Sequence, residues 1–420
     1  MKILNKYNTE EFLQDIEYEN IQTVQEIIEE VKKDGDKAII KYSKMYDKEP
    51  VENINAFEVS KEEIEEIVNN LDKDLYDAIT YTVRSVEKFA RAQMRTIQQM
   101  ELKIGESSVL GQKVAPIEKV LCYAPGGNYP LPSSACMTII PARVAGTREV
   151  ILTSPNIKPE TIAAAHLAGA DRIFRLGGAQ AISAFAYGTK TVPAVDKIVG
   201  PGNKYVTAAK KYVYGKVDID FLAGPSEVLI IADESANPKL IAADILAQAE
   251  HDKDARAYLI STSRTLVDNV RDEAEKILET LETKEVAEYA YSQSIAIVVD
   301  DIREAIQLAN RRAPEHVELQ FEGAEEYKNK FRNFGTLFIG KNCAEVFGDY
   351  CSGTNHVLPT NKASRYRGGL SVFDFIRIQT YQTIDEKFAK ELSKYSSILA
   401  NAEGLMAHKL ASDLRGQDGV

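Results

Sequence analysis

Four of the chain's five histidines stand beside carboxylates, amides or tight-turn glycines. His251 closes Gln248-Ala-Glu-His, and His316 closes Pro314-Glu-His. His356 follows Thr354-Asn, shortly after Gly348-Asp-Tyr, and His408 ends Glu403-Gly-Leu-Met-Ala-His. The fifth, His166, sits in an alanine-rich run and reads as helix filling. Neutral imidazole ligates metals and also titrates near neutrality. This placement points to one metal-plus-base site in an enzyme.

Gln248 and His251 are three apart, at or just beyond the end of an apolar helix expected over 240–250. They therefore share a face that can present two donors to one ion, although a lone histidine at a helix end is also an ordinary cap. Asp349 and His356 add a hard oxygen and a borderline nitrogen in a loop that Gly348 and Gly353 let fold tightly. His408 could complete a four-coordinate N/O site of the sort zinc accepts, with an amide oxygen as an unusual ligand. Adjacent residues on a strand or loop point apart, so Glu315 and His316 fit two successive proton tasks better than one ion. His316 would act as base toward an alcohol and Glu315 toward a water; a surface acid beside a half-buried histidine stays open as the alternative. Glu403 and His408, five apart, are separated by roughly 140° on a helix. They need distinct partners, or a helix that ends at Gly404. Ser226, in Gly224-Pro-Ser, could offer its hydroxyl to a ligand, but no neighbouring histidine makes it a nucleophile.

The elements that must position these groups are legible in outline. Residues from about 20 to 115 read as helix-rich scaffold, including a long amphipathic stretch over 73–99. From Lys119 short apolar runs end in turn signals: Val120-Leu-Cys-Tyr before Ala124-Pro-Gly-Gly127, Val150-Ile-Leu-Thr before Ser154-Pro, Arg172-Ile-Phe-Arg-Leu before Gly177-Gly, and Lys197-Ile-Val before Gly200-Pro-Gly-Asn203. Helical segments over 161–168 and 179–187 lie between them, so a parallel α/β sheet is expected. Ligands bind such sheets outside the carboxyl ends of the strands, where these turns fall. The G-x-G-x-x-G fingerprint is absent: Tyr205 stands where Gly200-Pro-Gly202 would need a third glycine. A nucleotide site and plain tight turns both remain open. A further α/β stretch runs over 236–340, and the residues after Leu370 look helical.

Composition excludes several classes. The 420-residue chain is too long for one simple core, and 51 Lys plus Arg against 63 Asp plus Glu leave a net charge of -12. That balance argues against non-specific nucleic-acid or anionic-membrane binding. No run of about 18 apolar residues appears, and the first residues lack an apolar signal core, so the protein reads as cytoplasmic. Cys122, Cys136, Cys343 and Cys351 show no CxxC spacing. Although Cys343 and Cys351 flank Asp349, they read as packing or incidental thiols.

Nine segments in order give the chain a resemblance to the histidinol dehydrogenases over about residues 27–415. They are Tyr123-Ala-Pro-Gly-Gly, Gly177-Gly-Ala-Gln-Ala, Val195-Asp-Lys-Ile-Val-Gly-Pro-Gly-Asn203, Ala223-Gly-Pro-Ser-Glu, Gln248-Ala-Glu-His251, Ala313-Pro-Glu-His316, Gly348-Asp-Tyr, Gly353-Thr-Asn-His-Val-Leu-Pro-Thr360 and Glu403-Gly-Leu. The resemblance implies oxidation of L-histidinol to L-histidine through the aldehyde, the last two steps of histidine biosynthesis, with reduction of two NAD+. It implies zinc held by Gln248, His251, Asp349 and His408, and Glu315 and His316 as the catalytic pair. Substrate contacts would fall on Ser226, His316, His356, Glu403 and the zinc ligands, and cofactor contacts on Tyr123, Gln180 and Asn203. It further implies two Rossmann-like parallel-sheet domains plus helical terminal segments in an intertwined homodimer, in which the C-terminal segment supplies Glu403 and His408 to the partner subunit. The organisation expected is an extension over 1–20, a discontinuous first domain over 21–118 and 227–370, a nucleotide-side domain over 119–226, and a helical segment over 371–420. Two departures, Ala90 after Phe89 and Phe334-Gly-Thr before the strand at Leu337, are expected to lie away from the site. The competing readings are a zinc dehydrogenase of a related amino alcohol or polyol, a zinc-stabilised scaffold and a zinc hydrolase.

Overall fold

The structure, a computed structural model, describes residues 1–14, 21–126 and 129–417; Gly127 of the first glycine turn lies outside them. Strands are numbered along the chain. β1 (Lys2–Asn5), β2 (Met100–Lys103) and β3 (Val109–Pro116) come first. β4 (Lys119–Tyr123), β5 (Glu149–Thr153), β6 (Arg172–Phe174), β7 (Lys197–Val199) and β8 (Asp218–Ile219) follow. β9 (Glu227–Ala232), β10 (Arg256–Ser261), β11 (Ile295–Val298), β12 (His316–Gln320), β13 (Thr336–Ile339) and β14 (Ile376–Thr383) complete the set. Two compact units result, residues 1–92 with 117–375, and residues 93–116 with 376–417.

The first unit contains two wholly parallel sheets, ordered β6-β5-β4-β7-β8 and β1-β11-β10-β9-β12-β13. Helices cover both faces, which is why these strands are apolar on both sides rather than alternating. In β9, Val228 and Ile230 enter one core while Leu229 and Ile231 enter the other, and all four are fully buried. Each such side chain contributes about 1.5–3 kcal/mol by leaving water.

Two elements pack differently from the expected partition. The apolar stripe Val24, Ile27, Ile28 and Val31 joins Leu121, Ile151 and Ile198 in one core, so helix Gln22–Asp34 covers the five-stranded sheet instead of joining residues 227–370. Residues 1–14 of the expected extension are part of the first unit too, residues 15–20 lying outside those described: β1 pairs with β11, Phe12 is fully buried, and Arg312 donates to the Phe12 and Gln14 carbonyls at 2.9 and 3.0 Å. In both cases a stripe of apolar side chains finds its partners by shape in three dimensions, which sequence proximity does not report.

The turn after β7 is locked from below. Asp220 accepts from Gly200 N (2.6 Å) and Phe221 N (2.7 Å), and Lys210 donates to Gly200 O (2.9 Å) while ion-pairing with Asp220. Both charged side chains are almost fully buried. Gly200 is at φ 111°, and a Cβ there would lie 2.1 Å from Tyr123 O, so the close approach of the two turns requires glycine. Breaking a buried pair leaves the other charge uncompensated. Lys210→Met should therefore cost roughly 3 kcal/mol, read as a lowered urea midpoint with an unchanged slope. An unaltered midpoint would show that Asp220 is satisfied by its two N–H partners alone.

The second unit is an antiparallel sheet, β14-β3-β2, followed by helices Glu386–Ala402 and Met406–Arg415. The expectation of an all-helical segment after residue 370 is thus corrected: eight residues from Ile376 pair with β3 first. Tyr381 lies directly opposite Gly111 and covers it, since a Cβ there would fall 2.1 Å from the ring, a cross-strand aromatic–glycine pairing. Asp385 then ends the strand and caps the next helix, accepting from Phe388 N (2.9 Å) and Ser108 Oγ (2.6 Å).

Candidate active site

β9 and β12 are neighbours, and His316 opens β12 in register with Val228. Ser226 immediately precedes β9, so Ser226, Glu315 and His316 share the amino edge of the six-stranded sheet. Glu315 is buried and accepts from Glu227 N at 2.9 Å. Its Oε1 is 3.8 Å from His316 Nε2. The expectation that these neighbours point apart is corrected, because only His316 has strand geometry; Glu315 lies in the turn before it. Burial pushes the Glu315 carboxyl well above the usual range, with the Glu227 N–H bond acting against it. Burial, aided by His356 and His251, holds the His316 imidazole down at about 3. The imidazole is therefore unprotonated at neutral pH, with a lone pair able to accept a proton.

Helix Pro238–Ala249 delivers Gln248, buried in its last turn, and His251 follows just past its end. Helix Glu345–Tyr350 delivers Asp349. His251 Nε2 and Asp349 Oδ2 are 4.0 Å apart, and burial raises Asp349 to about 6, with His251 acting against the shift. A His316 ring nitrogen and carboxylate oxygens of Glu345 and Asp349 all lie within 4.8 Å of one another. His356 Nδ1 donates to Asp349 O (2.8 Å), and its Nε2 faces Ser134 Oγ (3.2 Å). Ser134 begins the helix that follows β4, and Asn355 Nδ2 donates to Met137 O of that helix (2.7 Å). The His356 loop therefore brings the carboxyl edge of one sheet against the amino edge of the other, and ligands at this junction would meet both.

Tyr123 ends β4, and Gln180 and Asn203 lie after β6 and β7, along that carboxyl edge. The Tyr123 hydroxyl accepts from Gly178 N (3.2 Å). Gln180 is buried two residues into the next helix, beside Gly178. Asn203 is exposed and caps helix Lys204–Val213, its Oδ1 accepting from Tyr205 N and Val206 N at 3.1 Å each; its amide hydrogens are what it has left for a ligand.

Glu403 and His408 belong to the second unit. Helix Glu386–Ala402 ends with Glu403 as its cap and Gly404 at φ 73°, so the helix does stop between them, and both side chains are exposed. Of the two departures, Ala90 is buried scaffold, but Phe334-Gly-Thr does touch the site: Gly335 N and Thr336 N both donate to Glu315 O at 2.9 Å. A Cβ at Gly335 would come within 2.5 Å of that oxygen.

Three acids escaped the sequence reading. Glu345 stands one turn before Asp349, an i, i+4 pair on one helix face. Glu318 is fully buried in mid-strand and accepts from Glu345 N (2.7 Å); burial, aided by the neighbouring Asp244 carboxyl, raises it to about 8, and burial raises Asp244 to about 6 with its hydrogen bond to Glu318 acting against the shift. The alternation His316-x-Glu318-x-Gln320 was the available signal, a polar face on a strand whose other face is Val317 and Leu319. All four cysteines are free thiols; burial pushes Cys122 and Cys136 up to about 12.

The family model described as histidinol dehydrogenase matches residues 12–416. The chain is 45% identical to the histidinol dehydrogenase of Thermus thermophilus over 94% of each chain. It is 44% identical to that of Methanocaldococcus jannaschii over 96% of this chain and 92% of the other. The crystal structure of histidinol dehydrogenase from Elizabethkingia anophelis superposes with a TM-score of 0.92 at 36% identity, covering 99% of this chain and 98% of that one.

Proposed function

The chain belongs to the histidinol dehydrogenase family, and from that premise we propose that the His316 cluster carries out its chemistry, the oxidation of L-histidinol to L-histidine through the aldehyde in histidine biosynthesis. The carrying observation is that Glu315, His316, His251, Asp349 and His356, spread over a hundred residues, converge at one junction around a buried neutral imidazole.

The donors fit a zinc ion. Zinc–ligand bonds of about 2.1 Å in a tetrahedron place ligand atoms about 3.4 Å apart, and His251 and Asp349 need only small rotations from 4.0 Å to meet that. The Gln248 amide lies against the same cluster. With its nitrogen toward Glu345 Oε1 (3.1 Å), its oxygen accepts from Glu227 N (2.8 Å) and Val228 N (3.3 Å). Gln248, His251 and Asp349 would hold the ion together with His408, and a bound zinc supplies a template that orients the substrate by its nitrogens. Tyr123, Gln180 and Asn203 would contact NAD+, which supplies the hydride acceptor for each oxidation. Glycines line that edge tightly: a Cβ at Gly126 would sit 1.9 Å from Pro155 O.

The chain's own residues carry the protons. His316 takes the hydroxyl proton in the first oxidation and a second proton in the next. Glu315, in its ionised form, takes a proton from the water that adds to the aldehyde. Ser226, His356 and Glu403 orient the substrate, and the shared edge keeps the aldehyde bound between steps.

Glu403 and His408 reach the site of a partner subunit in a homodimer. What supports this is the second unit's outer surface, where Ile398, Leu399 and Leu410 are 68%, 63% and 58% exposed. Apolar exposure on that scale marks a protein–protein surface. Among the described residues no helix is long and apolar enough to cross a membrane, and we place the reaction in the cytoplasm.

The test is a histidinol-dependent NADH assay with metal analysis, before and after chelation. Removal of the metal should abolish the signal and zinc should restore it; full activity in the metal-free protein overturns the zinc assignment. Glu315→Gln should depress aldehyde oxidation far more than alcohol oxidation. Equal loss in both half-reactions would remove the water-activating role.

A further inference from the structure

Glu345 is a buried acid to which the proposed chemistry assigns nothing. It opens the short helix that carries Asp349, and its backbone N–H is held by Glu318 (2.7 Å). Its side chain caps no helix. Oε1 receives the Gln248 amide at 3.1 Å and lies 3.4 Å from His316 Nε2, while Oε2 is buried with no partner among the described residues. An acid so placed costs several kcal/mol unless its contacts return it, and an alanine would have fitted the helix at no such cost.

His316 shows what those contacts could accomplish. The ring stacks on Phe338, with centroids 5.9 Å apart and planes inclined by 26°. Stacking sets the plane of an imidazole but not which way round it lies, because a half-turn about the Cβ–Cγ bond exchanges a ring nitrogen for a carbon at nearly constant shape. A polar neighbour at one nitrogen breaks that degeneracy. Glu345 is at 3.4 Å from Nε2 and Glu315 at 3.8 Å, and Nδ1 has no hydrogen-bond partner among the described residues. Glu315 has a second engagement, the Glu227 N–H at 2.9 Å. That leaves Glu345 as the nearer group, and the one that also holds Gln248.

We propose that Glu345 is a positioning residue for the oxidation: its carboxyl group ties the imidazole of His316 to the amide of Gln248, fixing which ring nitrogen is free and how far the base stands from the metal side of the site. The inference rests on the reading of His316 as the base. A misplacement of about 1 Å in such a group costs about 100-fold in rate, and the loss falls on kcat because no group that contacts the substrate is removed.

The experiment uses the full-length, zinc-loaded protein with Glu345→Gln, Glu345→Asp and Glu345→Ala, each checked by thermal melting and zinc content. Glu345→Ala should lower kcat for histidinol about 100-fold with little change in KM. Glu345→Asp, which withdraws the carboxyl by one methylene, should fall between Ala and the parent. Glu345→Gln keeps an acceptor oxygen in place and should recover most of the rate. With only five histidines, ¹⁵N-histidine labelling gives a readout independent of turnover: the His316 ring nitrogens, assigned through His316→Ala, should shift in Glu345→Ala and not in Glu345→Gln. Parent-like kcat in Glu345→Ala overturns the proposal. So does a Gln variant as slow as Ala, which would mean that charge rather than placement matters, or His316 resonances indifferent to Glu345→Ala. Should Glu345→Ala not fold, the Gln and Asp variants decide: parent-like kcat in Asp, or a collapse in Gln, is fatal. Failure of the base assignment is separable, since His316→Ala would then retain turnover while the nitrogen shifts still report the contact.

Discussion

His316→Ala is expected to lower histidinol turnover by roughly 10²–10⁴-fold, with the zinc content of the parent protein retained. The imidazole is a buried base at the junction, and burial keeps it neutral down to about pH 3. None of the proposed ligands Gln248, His251, Asp349 or His408 is removed, so metal analysis separates loss of the base from loss of the site. Near-parental turnover in a folded, zinc-replete variant would end the assignment. The same lowered pKa has a stability consequence of definite sign. An unfolded chain protonates this histidine near 6.5, the folded protein only near 3. Below 6.5 the unfolded state binds more protons, so His316's contribution is lost progressively as pH falls through that window. Urea midpoints measured from pH 7 to 4 should fall less steeply for His316→Ala than for the parent.

Mixing two inactive variants should restore activity. His408→Ala lacks a proposed zinc ligand and His316→Ala lacks the base, so each alone should be inactive. If His408 acts across a two-fold interface, each mixed dimer contains one site with both defects and one with neither. Random reassortment of equal amounts should then recover about a quarter of parental activity. The subunits must be unfolded and refolded together, or exchanged, and mixed dimers demonstrated by differential tagging. No recovery in demonstrated mixed dimers would mean that each chain builds its site alone. The exposed Ile398, Leu399 and Leu410 make a second check available, since a charged residue at Leu410 should dissociate the dimer and abolish turnover together.

Local chemistry was readable directly along the chain. The strand–turn–helix alternation from Lys119 to Ser226 appears as written, because short apolar runs between glycine turns permit few structures other than buried parallel strands. The halt at Gly404 was legible as well, since a glycine between two helical runs is the residue that tolerates φ 73°. The polar signatures around His251, His316, Asp349 and His356 were visible as candidates, and their family order named the chemistry.

Tertiary structure decided what those residues meet. Helix Gln22–Asp34 presents the same apolar stripe whichever sheet it covers, so only packing could assign it to the five-stranded one. Glu315 and His316 approach because the strand begins between them, a boundary of one residue that periodicity does not resolve. Glu345 and Glu318 stand out only once folding buries them, and burial is a property of neighbours distant in sequence. Residue type and spacing thus determined which groups were capable of the reaction. The long-range packing of two parallel sheets determined that they stand within reach of one another, in surroundings dry enough to shift their proton affinities.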